Sequence, residues 1–218
     1  MATPREAPYV WVTWITKLLS ADAHCLWSAW FRSHNQYEKI PSDFDQARYA
    51  SEHGAMLQEC ADKLTAEGWG VYIEDQNAFR LEGKNGATLG GKPDIVAISR
   101  DGAVKVIDCK TGKPRSSDQF QVLIYMLVLP HTHYACKDRT PEGELLYKNG
   151  QTIRIPASKV DDKMRKRFRD MMERVSGQTP APKVPSPGEC RFCDIPKSEC
   201  PERIEAAVPQ TGADHDLF

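Results

Sequence analysis

No stretch of this sequence is apolar for long enough to cross a bilayer. The nearest candidate, YVWVTWITKLL over residues 9–19, is broken by Thr13, Thr16 and Lys17 and carries no small-residue cleavage site. It is also far shorter than the roughly 20 residues that a spanning helix needs. The chain is therefore expected to be cytoplasmic, with no membrane partner. A surplus of positive charge is missing too. With 29 Lys and Arg against 30 Asp and Glu, the formal net charge is −1, so nucleic acid could be held only by a local basic patch. Internal repeats and low-complexity tracts are absent. Seven cysteines, an odd number with no secretory leader, argue against a disulfide framework and for metal binding or free thiols.

What is present suits a folded protein. Hydrophobic residues make up 40% of the 218, five of them Trp, enough for one domain with a sizeable core and a small appendage. Residues 9–34 are expected to form two short helices hinged at SADA (20–23), with Ser20 and Asp22 as N-caps. A polar break over 35–43 leads into a helix that runs to Glu67 and contains His53. The period then changes to strands, at 69–75, 78–83, 92–99 and 104–110, separated by turns such as KNG and RDG. SSDQFQVLIYMLVL (116–129) reads as a helix capped by Ser116 or Ser117. GELLYKNGQTIRI (143–155) reads as a hairpin about Asn149–Gly150. A last helix over roughly 157–175 precedes a Pro-rich linker (178–189), a cysteine cluster and a polar tail. The order is mixed α/β.

Two acids stand out. Asp94 is read within one strand, after Pro93, and Asp108 near the end of the next, so that both can meet at one end of a sheet. Their repulsion is then costly unless a cation sits between them. Such oxygen-rich sites suit Mg²⁺ or Mn²⁺. Alternation puts Asp108 and Lys110 on one face and Cys109 on the other. The lysine can then hold an attacking water and stabilise charge on a phosphoryl oxygen. A D-x-K pair alone is equally a solvated acid and lysine. Gln121 and Tyr125, at i and i+4, project together from the following helix, and His53 offers a third metal ligand from upstream.

With these residues in order, the chain resembles the RecB-like branch of the PD-(D/E)XK nucleases. GKPD, IDCKTGK and QVLIY are similar to that branch's G-x-x-D, D-x-K-T-G and Q-x-x-x-Y motifs, and His53 in EHGAML to its upstream histidine. The resemblance runs from about residue 10 to 203. It implies a restriction-endonuclease-like core, a mixed central sheet flanked by helices. It also implies that His53, Asp94, Asp108 and the backbone carbonyl of Cys109 hold the metal. Lys110 is then catalytic, while Gln121 and Tyr125 brace the site and the strand. Many members carry Glu where Asp108 stands, and Asp is accepted there.

CRFCDIPKSEC places Cys190, Cys193 and Cys200 in a C-x₂-C-x₆-C array. Three thiolates need a fourth, for either a Cys₄ zinc or an iron–sulfur cluster. One lone cysteine plus a late trio resembles the cluster-bearing RecB-like nucleases, including CRISPR-associated adaptation nucleases and AddB-type subunits. That resemblance makes Cys25 the fourth ligand of a 4Fe-4S staple joining the two chain ends. The other reading of Cys25 is a buried apolar thiol. Cys60, Cys109 and Cys136 have no matching partners and read as structural.

The division expected is a nuclease domain over 1–177, a linker and cysteine cluster over 178–203, and a disordered tail over 204–218. The activity implied is a Mg²⁺- or Mn²⁺-dependent DNA exonuclease that prefers single strands or free ends, in CRISPR spacer acquisition or in recombination and repair. Partners would be DNA and a CRISPR integrase or recombination proteins. The tail sequence ADHDLF partly resembles a sliding-clamp-binding peptide that lacks its leading Gln. Lys113, Arg115, Arg165, Lys166 and Arg169 are candidate DNA contacts; the run KMRKRFR (163–169) is equally a solvated helix face. Two rivals stand beside this reading. One is a catalytically silent DNA-binding or scaffold module, and the other is a nuclease stapled by zinc.

Overall fold

A computed structural model of the chain describes residues 1–42 and 44–205. The clamp-peptide reading of ADHDLF, and the expected tail from residue 206 on, lie outside the described residues.

The chain opens with β1 (Thr3–Pro4) and β2 (Tyr9–Trp11), followed by α1 (Val12–Ser20), α2 (Leu26–His34) and β3 (Asn35–Gln36). The long helix α3 spans Gln46–Ala66. After it come β4 (Gly70–Ile73), β5 (Phe79–Glu82), β6 (Thr88–Gly91), β7 (Ile95–Ile98) and β8 (Val104–Lys110). The rest is α4 (Ser116–Thr132), β9 (Glu142–Tyr147), β10 (Thr152–Ile155), α5 (Asp162–Ser176) and α6 (Pro187–Arg191). No helix among the described residues is long and apolar enough to cross a membrane.

A five-stranded sheet in the order β10-β9-β8-β7-β4 forms the centre, antiparallel except where β8 and β9 run parallel. Both of its faces are covered, which explains why β8 is buried or half-buried along its whole length. Val104 and Val106 pack on the α4 side, while Ile107, with Ile95 and Ala97 of β7, packs against Leu57 and Leu64 of α3. By the same alternation Asp108 and Lys110 face α4, and Cys109 faces α3. Helix α4 is apolar on nearly every side because it is enclosed on nearly every side. Its Val122, Ile124, Tyr125, Met126, Val128 and Leu129 are all buried, each worth about 1.5–3 kcal/mol relative to exposure. That enclosure carries α4 past Pro130, where the sequence suggests a stop, to Thr132. The helix thus holds Gln121 and Tyr125 rigidly above the sheet.

Several local expectations are corrected. Residues 9–11 are strand, because they pair in parallel with β6 beneath the rings of Tyr9, Trp11 and Phe79. Gly90 and Gly91 make room for those rings, and their turn-like composition hides the strand β6 in the sequence. Asp22 caps no helix of its own; its carboxylate accepts the Ser117 N–H at the start of α4. Ser20 is the last residue of α1, and the residue before α4 is Arg115 rather than Ser116 or Ser117. Helix α5 starts at Asp162 because the Asp161 side chain accepts the Met164 N–H. Asp94 immediately precedes β7 rather than lying within it.

Gly143 of β9 lies directly under α4. A Cβ there would stand 2.6 Å from both Met126 Sδ and Val122 Cγ1 and 3.2 Å from Ile155 Cβ. Gly143→Ala should destabilise the protein by about 1–3 kcal/mol, the usual effect of overpacking a filled core. Urea denaturation measures this, and an unchanged midpoint would mean that α4 can ride off the sheet without loss.

Candidate active site

The site forms where the β7–β8 pair ends between α3 and α4. Ile95 pairs with Ile107 across the two antiparallel strands, and continuing that register by one residue sets Asp94 opposite Asp108. Asp94 is fixed from both ends. Its carbonyl accepts the Glu74 N–H at 2.9 Å, and its Oδ2 accepts the Cys109 N–H at 2.7 Å. The buried Asn77 amide ties the same segment, donating to the carbonyls of Tyr72, Pro93 and Asp94. Glu74 takes the left-handed conformation, φ 43°, in making this turn. Neither Asn77 nor Glu74 was singled out from the sequence. The only signal was a polar EDQN run between two strands.

Helix α3 brings His53. Tyr49, His53, Leu57, Ala61 and Leu64 fall at spacings of three or four, along one stripe facing the sheet. The stripe is aliphatic over the sheet and turns to imidazole as it passes the sheet's end. There His53 Nε2 lies 3.0 Å from Asp94 Oδ2. That hydrogen bond outweighs burial and raises the imidazole above its ordinary pKa.

Asp108 is only 1% exposed. Its Oδ1 accepts from Gln121 Nε2 at 3.0 Å, and Lys110 Nζ lies 2.6 Å from Oδ2. The ammonium and this buried oxygen form an ion pair. Gln121 is the hub. Its Oε1 accepts from Lys110 Nζ at 2.9 Å, and its Nε2 also reaches the Tyr125 hydroxyl at 3.1 Å. Tyr125 in turn donates to the Lys92 carbonyl at 3.3 Å, joining α4 to the residues just before Asp94. Burial pushes the Asp108 carboxyl up to about 6, against the pull of Lys110 and with Asp94 adding to the push. Burial opposes the Lys110 charge, yet Asp108 outweighs it and holds the ammonium above its usual value.

His53, Asp94, Asp108, Lys110, Gln121 and Tyr125 therefore lie in one connected network, and Cys109 contributes its N–H to it. The Cys109 side chain points away, toward Cys60 of α3, and both are free thiols. Among the described residues, no three His, Cys, Asp or Glu side chains stand as a ready-made metal cage. At the carboxylates the intervening groups are the Lys110 ammonium and the His53 imidazole.

Lys113 and Arg115 are exposed in the loop between β8 and α4. Arg115 also lines a cleft of about 810 Å³, which Trp14, Lys17 and Phe192 border and the two acids do not. On α5, Lys166 pairs with Asp170 at 2.6 Å, Arg165 is half-buried and Arg169 exposed. Arg167, in the same basic run, stacks on Phe120 and donates to the Leu19 carbonyl, so part of that run is structural.

Far along the sequence, the C-terminal segment returns to α2. Cys25, Cys190, Cys193 and Cys200 are free thiols around one small cavity of about 30 Å³, walled by Trp27 and Ile195. The Cys190 sulfur accepts the Ile204 N–H at 3.4 Å, and Arg32 Nη2 lies 3.9 Å from the Cys193 sulfur. Glu189 receives the N–H groups of His24 and Cys25, and Asp194 takes Arg32, Tyr37 and Lys39. Cys136 stands apart, its thiol pushed up to about 12 by burial.

The sequence profile of the PD-(D/E)XK nuclease superfamily matches residues 15–201. The chain belongs to the PD-(D/E)XK nuclease superfamily. The acids, lysine and glutamine just described lie within the matched span, and the superfamily is one of nucleases, which are hydrolases. No curated protein matches the sequence. Among solved structures, the crystal structure of SSO0001 is similar at 16% identity, over 88% of this chain and 85% of that one, with a TM-score of 0.43. A likeness that loose carries no argument here.

The folded nuclease binds the Asp108 proton more tightly than the unfolded chain does. This carboxyl therefore lowers stability progressively as pH rises from about 4 through about 6. Carbon-detected NMR of the metal-free protein should show Asp108 titrating near 6. Gln121→Ala, by removing the donor to Oδ1, should move that midpoint upward and destabilise the protein by about 1–3 kcal/mol above it. A midpoint at the ordinary 3.8 in the parent would contradict the buried placement.

Proposed function

We propose that this nuclease is a Mg²⁺- or Mn²⁺-dependent deoxyribonuclease of the RecB-like branch that degrades DNA from ends or unpaired strands. The observation that carries the reading is the junction of Asp94, Asp108 and His53 with a lysine held by both Asp108 and Gln121. Two carboxylates, an imidazole and the neighbouring Cys109 carbonyl are hard or borderline donors, suited to a small divalent cation with waters completing its shell. Asp108 Oδ2 already faces the Lys110 ammonium at 2.6 Å, a position where an anionic oxygen meets positive charge. A cation held there supplies the charge that polarises the scissile phosphate and acidifies water.

The chain's own residues do the rest. Lys110, fixed by Asp108 and Gln121, presents one compact positive charge that orients a water and meets the charge developing on a phosphoryl oxygen. Tyr125 and Gln121 keep that ammonium from swinging, because both are seated on the enclosed helix α4. Lys113, Arg115, Arg165, Lys166 and Arg169 supply the local basic contacts that a chain of net charge −1 needs to hold a phosphate backbone. A silent scaffold would have no use for a fully connected set of buried charges at this strand end.

The four cysteines around one cavity support an iron–sulfur staple, with Cys25 as the fourth ligand. Soft thiolates suit iron, and N–H donors to the sulfurs are the usual outer shell of such ligands. A cluster there would supply a cross-link between α2 and the C-terminal segment. A role in CRISPR spacer acquisition or in recombination and repair follows from the RecB-like reading, with the corresponding integrase or recombination proteins as partners.

End-labelled single- and double-stranded DNA, blocked at either end and incubated with Mg²⁺ or Mn²⁺, tests the activity. Asp94→Ala and Asp108→Ala should abolish cleavage and weaken metal binding. Lys110→Ala should reduce the rate by on the order of 10²–10³-fold while retaining metal, and Tyr125→Phe should lose less. Wild-type cleavage by folded Lys110→Ala would refute the mechanism. For the staple, anaerobically purified protein should be brown and contain iron. Cys25→Ala, Cys190→Ala, Cys193→Ala and Cys200→Ala should each lose iron and stability, because binding and folding are coupled. Cys60→Ala and Cys136→Ala should keep both. Stoichiometric zinc without iron would replace the cluster by the zinc alternative.

A further inference from the structure

Two aromatic rings continue the α3 stripe beyond His53 and out into solvent. Tyr49, one turn before His53, stacks on its imidazole with ring centres 5.5 Å apart and planes within 20°. Phe44 leans on Tyr49 at 5.4 Å and 55°. A phenylalanine just ahead of the Asp45 cap and a tyrosine at the fourth helical position make a hydrophobic staple, which accounts for their mutual contact. It does not account for their exposure. Phe44 is 58% and Tyr49 40% open to solvent, large apolar faces left uncovered beside a charged site. Nor does it account for the seating of Tyr49 on an imidazole that bonds to Asp94. Two cations meet α3 close by in the sequence of the helix. Arg48 and Lys148 both reach Glu52 one turn along α3, at 2.9 and 2.8 Å, and both side chains remain largely exposed.

We propose that Phe44 and Tyr49 form a stacking platform for the nucleobase next to the scissile phosphate, so that the site accepts an unpaired strand. The proposal rests on the nuclease reading and names how that site selects its substrate. A phosphate lying at Asp94, Asp108 and Lys110 leaves its attached base within reach of the neighbouring rings. Stacked aromatic faces take any base, because every base has a π-face, and flanking cations track the backbone. A base held inside a duplex already has both faces covered by its neighbours and cannot lie flat on Tyr49. Selection for frayed ends or single strands then follows from geometry, without sequence readout.

The test uses the full chain in metal-free buffer, so binding is read apart from cleavage. Single-stranded oligonucleotides carry one 2-aminopurine or one abasic site, moved along the strand. Wild-type protein should quench 2-aminopurine at one or two adjacent positions. Tyr49→Ala should lose that quenching and weaken binding by roughly 5- to 150-fold, the scale of one base on one aromatic face. Tyr49→Phe should retain both, and Phe44→Ala should lose part. An abasic site at the quenched position should weaken wild-type binding by the same factor and Tyr49→Ala binding no further. Should Tyr49→Ala fail to fold, Tyr49→Leu keeps the apolar staple and removes the ring face, and the same comparison applies.

Equal quenching by wild type and Tyr49→Ala, an abasic penalty as large in the variant as in the parent, or no binding of single strands by the wild type would each overturn the platform. Position-specific stacking by a protein that cleaves nothing with Mn²⁺ would keep the platform and overturn the nuclease reading instead. Cleavage that is indifferent to Tyr49→Ala would do the reverse.

Discussion

Asp108 carries a carboxylate into the interior at the end of the central strand, and the rest of the site is arranged around keeping that charge tolerable. A buried carboxylate without a partner would simply take up a proton. Here one oxygen faces the Lys110 ammonium and the other the Gln121 amide. The lysine is in turn held by Gln121 and the glutamine by Tyr125, so four residues on two elements satisfy one another. The arrangement works only if β8 and α4 keep a fixed distance. Burying six large side chains of α4, and leaving Gly143 bare beneath it, secures that distance. Core packing and chemistry are thus the same constraint seen from two sides.

The second acid shows how a sheet end becomes a site. Strand register puts Asp94 across from Asp108, but register alone would leave two anions facing each other. The Cys109 N–H of β8 and His53 of α3 both approach Asp94 Oδ2, and Asn77 and Glu74 hold the backbone that carries it. One acid is thereby neutralised from the α4 face and the other from the α3 face. Both helices must be docked before both acids have their full set of partners. This ties the integrity of the site to the two-sided burial of the sheet.

Around α2 the same economy uses cysteine. Glu189 receives the start of α2, Asp194 gathers Arg32, Tyr37 and Lys39, and the four thiols line the space between. A Pro-rich linker has little apolar surface with which to dock. These polar clamps, with Trp27 and Ile195 beneath, are what return the chain end to its beginning.

Much of this was legible in the residues themselves. β8, the long helix α3, the central part of α4 and the β9–β10 hairpin follow from periodicity and turn chemistry, because in each the local preference and the tertiary demand agree. The D-x-K alternation and the i, i+4 spacing of Gln121 and Tyr125 placed their side chains on common faces for the same reason. The sequence could not reveal β6, whose two glycines read as a turn until aromatic rings from β2 and β5 are laid over them. Nor could it reveal that Tyr9–Trp11 is strand, that Asp22 serves the start of α4, or that Asn77 and Glu74 steady Asp94. Each of these depends on a partner many residues away, and local propensity carries no information about distant partners. Residue types and their spacing determined which groups could do chemistry. Which oxygen meets which donor, and which aromatic ring stands over His53, was decided only when the two faces of the sheet were closed by α3 and α4.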